Sequence, residues 1–124
     1  MNKYRDKSDF EINKAVAEEL IKSSFIIGVK YHDKHILVTD KYANNYPFAP
    51  CNNPTDAMPI IIENGISLIK FEHNYLAAAP GLFVEGELGG EIYGLKSKLF
   101  SDNRNPYRAA MEVFLMMKEA ENES

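Results

Sequence analysis

The sequence predicts a single α+β domain in the order α-β-β-α-β-β-α, with three helices packed on a small, mainly antiparallel four-stranded sheet. Three observations carry this. Three segments put cap or turn chemistry ahead of apolar residues at helical spacing: Ser8-Asp9-Phe10-Glu11, Asn53-Pro54 and Asn105-Pro106. Two pairs of short β-rich runs are each joined by a tight turn, Asp33-Lys34 and His73-Asn74. The length, 124 residues, suits one domain that buries a core without staples. An antiparallel sheet with helices against it is the simplest way to bury these faces.

In the first segment, Ser8 and Glu11 have the spacing of a capping box, each satisfying the other's free backbone N–H. Ile12, Val16 and Leu20 follow on one face, with Ala15 alongside, and predict a helix over 9–22. Phe25-Ile26-Ile27-Gly28-Val29 and Ile36-Leu37-Val38-Thr39 predict a hairpin. Residues 41–53, rich in Asn, Pro and Tyr, read as loop. Asn53 can cap a second helix with Pro54 at its first position. Pro59 argues against so early a start, because deep in a helix proline removes a backbone bond and clashes. With Asp56 as the cap, Pro59 falls in the first turn; this later start is preferred, with an end near Asn64 and Gly65 as the stop. Ile66 to Phe71 and Tyr75 to Ala79 predict the third and fourth strands. Asn105-Pro106 opens a helix over 106–119. Residues 1–7 read as a flexible N-terminus, 80–104 as a glycine-rich loop region and 120–124 as an acidic tail. Ile12, Val16, Leu20, Ile61, Val113, Phe114 and Met117 are the expected core.

Composition narrows the function classes. A hydrophobic content of 45% with 26% charged residues is that of an ordinary globular domain. Cys51 is the only cysteine, so no internal disulfide forms and nothing points to an oxidising compartment. The basic N-terminus lacks an apolar signal core, and the run around Ile60–Ile62 is far too short to span a bilayer, so a cytoplasmic location without membrane contact is expected. Net charge is −4. Basic residues gather locally at Lys3, Arg5 and Lys7 and again at Lys96, Lys98, Arg104 and Arg108, but a duplex-DNA binder usually carries a basic face, so nucleic acid is not the expected partner.

No catalytic constellation, metal site or cofactor motif emerges. His32 and His35 flank a turn and read as exposed hairpin residues; Cys51 is the only other soft ligand near them in type. The stretch from Gly89 to Ser97 has the outward form of a phosphate-binding loop, but Leu95 stands where the lysine must be, so it reads as a glycine loop. Cys51 is either a thiol activated by a helix start or a small buried side chain beside Pro50. Asn52, Asn53, Asn105 and Arg108 combine helix-start N–H groups with a guanidinium, and so can form an anion site. In the other reading Asn53 and Asn105 merely cap, and Arg108 pairs with a carboxylate; Arg108→Ala then costs about 1–2 kcal/mol or less. The third helix is apolar beyond a narrow stripe. Ala110, Val113, Phe114 and Met117 share a face, while Tyr107, Leu115 and Met116 lie outside it. Either the helix is covered on two sides or those three residues form an interface, which would make a homodimer.

The motifs Pro50-Cys51-Asn52-Asn53, Asp56-Ala57-Met58-Pro59-Ile60-Ile61-Ile62-Glu63-Asn64 and Arg108-Ala109-Ala110-Met111 are distinctive together. With residues 9–20, 50–69 and 105–119 they make the chain resemble the NinX family of small tailed-phage proteins over nearly its whole length. A weaker likeness is to the phage α-β-α sandwich domain, in which helices enclose a small sheet. The stretch Gly81 to Asp102 departs from the family pattern in length and glycine content. The resemblance implies a phage or prophage origin, action in the bacterial cytoplasm during infection, and a gene dispensable in some hosts. It supplies no catalytic residues. Two functions follow. The leading one is a non-enzymatic accessory binder of a host or phage protein, acting through the third helix or nearby loops. The other is a small-molecule or nucleotide sponge in counter-defence, its pocket built from Asn52, Asn53, Asn105 and Arg108. A cryptic enzyme is a third, minor reading.

Overall fold

The computed structural model describes residues 2–81, 83–88, 91–96 and 99–123. Its elements run α1 (Asp9–Lys22), β1 (Gly28–His32), β2 (His35–Thr39), β3 (Asn45–Pro47), α2 (Pro54–Glu63), β4 (Ser67–Lys70), β5 (Tyr75–Ala78), β6 (Phe83–Leu88), β7 (Glu91–Lys96), β8 (Phe100–Asn103) and α3 (Pro106–Glu123). The class is α+β, as the sequence predicts. The single four-stranded sheet is replaced by two three-stranded antiparallel sheets, β1-β2-β3 and β4-β5-β8, with β6 and β7 paired separately. The two expected hairpins thus fall in different sheets, and each recruits a third strand that local sequence does not announce. β3 lies in the Asn/Tyr/Pro segment read as loop, and pairs Leu37 with Pro47 and Val38 with Tyr46. β8, Phe-Ser-Asp-Asn, is too polar to signal a strand and owes its form to pairing with β5, Ala77 opposite Ser101. The region 80–104, read as glycine-rich loop, therefore holds three strands. Gly89, Gly90 and Ser97 of the phosphate-loop lookalike lie outside the described residues, and Glu91–Lys96 between them is β7.

α1 and α3 link the two sheets, and α2 packs on α3. α1 packs on β1 and β2 and also on α3, while α3 packs on α2, β5 and β8. This arrangement differs from the helix-enclosed sheet that the second likeness implies. Alternation on β2 is clean, with Ile36 and Val38 turned to the core and His35 and Leu37 exposed. Ile12, Val16, Leu20, Ile61, Val113 and Phe114 are buried as expected. Met117, expected in the core, is only partly buried and packs against the core's rim. α3 continues to Glu123, so most of the expected acidic tail is helical.

The start of α2 differs from the preferred reading. Asn53, not Asp56, is the N-cap, its side chain accepting from the Thr55 N–H at 3.0 Å. Pro59 thus sits inside the helix. The cost is limited because Thr55 and Pro59 both lie on the exposed side, where water can serve the carbonyl that lost its N–H partner. Asp56 is occupied elsewhere, accepting from the Ala49 N–H at 2.9 Å and fixing the loop before the helix.

Candidate functional site

The loop 49–53, the start of α1 and the start of α3 meet around Cys51, and most residues expected to form an anion site lie there. Asn105 caps α3, accepting from the N–H groups of Tyr107 and Arg108, and donates from its side chain to the Cys51 carbonyl at 2.6 Å. Asn13, buried on α1, accepts from the Cys51 N–H at 2.8 Å and donates to Asn52 at 3.4 Å. Asn52 donates in turn to Asp9 at 3.1 Å. Asn53 stands apart, exposed and engaged as the α2 cap.

Arg108 is 6% exposed and engaged through all three of its nitrogens. Nε donates to Glu112 at 2.6 Å and Nη1 to Asp9 at 2.7 Å. Nη2 donates to the backbone carbonyls of Tyr4 at 2.9 Å and Lys7 at 2.6 Å, with a longer contact to Arg5. Burial opposes the charge, but the hydrogen bonds with Asp9 and Glu112 outweigh it, and the guanidinium is held more firmly protonated than usual. Glu112, 1% exposed, also accepts from Ser101 at 2.7 Å and from the Asn2 side chain. Two carboxylates and three carbonyls thus occupy the arginine. Asn52, Asn105 and Arg108 of the anion reading are brought together without Asn53, and they form an internal strut.

The strut has a structural consequence at the N-terminus. Residues 2–7, expected to be flexible, are tied to α3. Tyr4 donates to Glu119 at 2.7 Å, Lys3 pairs with Glu119 at 2.9 Å, and Arg5 pairs with Asp102 at 2.8 Å. The Arg5 hydrogen bond, helped by Asn74, holds the Asp102 carboxyl below the usual range. Asp9, Asn13, Ser101 and Glu112 were missed by sequence reasoning. One signal was present: Arg108 and Glu112 are four apart inside an otherwise apolar stretch, the spacing at which helical side chains meet.

Cys51 is fully buried. Burial pushes its thiol up to about 12, with the nearby Asp9 charge adding to the shift. The buried reading of this residue therefore holds, and the activated-thiol reading falls. A thiol reagent at pH 8 is expected to leave the folded protein unmodified and to label it fully in urea; labelling of the folded form at the unfolded rate would contradict this. The folded state keeps a proton that the unfolded thiol releases near its ordinary pKa of about 8.5. Stability is fully present below that pH and falls as pH rises toward 12.

Leu115 is buried, and Tyr107 and Met116 are partly buried against the core. The apolar width of α3, which suggested a homodimer, is taken up by α1, α2 and the second sheet. Open concavity lies elsewhere. A groove of about 430 Å³ at the tip of the β1–β2 hairpin has Phe10, Ile36, Leu37 and Phe48 among its lining, with His32, Lys34 and His35 at its edge. A smaller one, about 260 Å³, lies between the ends of α1 and α2 beside Phe114 and is flanked by Phe25, 55% exposed. Among the described residues no group of three or more His, Cys, Asp or Glu could hold a metal ion, and no helix is long and apolar enough to cross a membrane.

These features define a small α+β domain with an internally paired polar centre and an open apolar groove. The family model described as "Bacteriophage P22, NinX" matches residues 3–118, and the chain belongs to that family. Membership makes it a phage accessory protein. No curated protein and no solved structure matches the chain.

Proposed function

We propose that the protein is a non-enzymatic accessory factor that binds and modulates a host or phage protein. One observation carries this reading. The side chains that could have formed a ligand pocket are engaged internally, Arg108 by Glu112 and Asp9, Asn52 by Asp9 and Asn105 by the Cys51 carbonyl, while the apolar groove of about 430 Å³ faces outward with Leu37 40% exposed on its wall. An open groove with an apolar floor suits an inserted side chain from a protein partner. The small-molecule alternative keeps one observation in its favour, because the groove's volume is within the range of small-ligand sites. Affinity capture of tagged protein from infected cells, with mass spectrometry of proteins and metabolites, tests the two. A host or phage protein enriched in proportion to the bait is expected. A metabolite co-purifying without any enriched protein would reverse the conclusion.

A further inference from the structure

The outer face of the first sheet and the groove at its tip carry a charge pattern opposite to that of the whole chain. Antiparallel register puts His32 opposite His35, and Lys30 opposite Leu37, which also lies beside Pro47. Opposed residues share a face, so two imidazoles, a lysine and two apolar side chains project together, away from the face carrying buried Ile36 and Val38. Lys34 in the turn adds a second ammonium at the groove's edge. No Asp or Glu lines the groove, in a chain with 18 acidic and 14 basic side chains. The carboxylates close to it are Asp33 at the turn tip, Asp56, which is held by the N–H of Ala49 at 2.9 Å, and Asp9, which is held by Arg108 and Asn52.

We propose that this groove is the docking site for an acidic segment of a partner protein. The segment seats an apolar side chain against Leu37 and Pro47 and places carboxylates against Lys34, His32 and His35. The inference rests on the protein-binding reading above. The imidazoles contribute an N–H donor in either protonation state, so the edge offers donors as well as charge. At the β3 edge, main-chain strand addition is disfavoured, because β3 has three residues and ends in Pro47, which has no N–H to give. On this side of the sheet recognition runs through side chains. A nucleic-acid strand fits less well. Its affinity depends on many cations along the backbone, whereas this face offers two lysines in a protein of net charge −4.

Titration of isotope-labelled protein with a synthetic peptide of glutamates flanking a Leu-Phe pair, followed by amide NMR, tests the proposal. The expected result is saturable shifts at residues 32–37 and 48–49, with little response to the same peptide carrying lysines in place of glutamates. Lys34→Glu is expected to weaken binding about tenfold, and Leu37→Asp to abolish it. Both sites are exposed, so the melting temperature should hold and a folding defect would be visible separately. Equal response to the lysine peptide, shifts confined elsewhere, indifference to Lys34→Glu, or the same shifts with oligothymidylate would each overturn the proposal. A captured partner retained by both variants would overturn this docking site and leave the protein-binding reading standing. Absence of any partner with wild-type bait would remove that reading and this site with it.

Discussion

Arg108→Ala is expected to destabilise the protein by about 3–5 kcal/mol, the range for removing one partner of a buried ion pair. The sequence-level figure of about 1–2 kcal/mol assumes an exposed contact. The structure instead puts the Arg108 and Glu112 side chains at 7% and 1% exposure. Truncation leaves the Glu112 carboxylate with Ser101 and Asn2 as partners but no adjacent positive charge. It also releases the carbonyls of Tyr4 and Lys7, so the N-terminal segment loses its backbone attachment to α3 and keeps only the side-chain contacts of Asn2, Lys3 and Tyr4. Two measurements check this. Urea denaturation should show the loss in midpoint, and amide exchange at residues 4–8 should accelerate well beyond the global change. The double variant Arg108→Met with Glu112→Leu should recover much of the stability, because an apolar pair of similar volume avoids the desolvation that the ion pair suffers. A loss below about 1 kcal/mol for Arg108→Ala would mean that the strut does not couple the two ends of the chain.

Phe114→Ala is expected to cost about 3–5 kcal/mol, as for other buried aromatics. Phe114 is 1% exposed and lies on α3 in the shared core with α1 and α2. Because it borders the groove of about 260 Å³, the vacated space can admit water from that side, which favours the lower end of the range. Phe25→Ala on the rim of the same groove is the control. Phe25 is 55% exposed, and its loss should cost less than about 1 kcal/mol. Similar midpoints for the two variants would show that α3 is not the packing centre.

Legibility in the sequence followed the range of the interactions involved. Ser8 with Glu11 and Asn105 with Tyr107 are contacts within a few residues, so these caps and the helices behind them could be read directly. The apolar positions at helical spacing in α1 and α3 identified the helical part of the core that includes Ile12, Val16, Leu20, Val113 and Phe114 for the same reason. β3 and β8 could not be read, since a short polar strand exists only through its neighbour's hydrogen bonds. The cap of α2 was misassigned because a local rule about Pro59 took no account of solvent exposure on that side of the helix.

By itself the sequence determined the family, the α+β class and the caps of α1 and α3. Each rests on periodicity or motifs contained in one segment. Tertiary structure alone decided the partition into two sheets, the fate of Arg108 and the position of the open groove. Arg108 meets Asp9 across 99 positions and the Lys7 carbonyl across 101. Whether a guanidinium faces a ligand or the chain's own carboxylates depends on such distant pairings, which local pattern does not encode. The groove likewise arises only where the hairpin tip, α1 and the loop after β3 come together, joining Phe10, His35 and Phe48 on one surface.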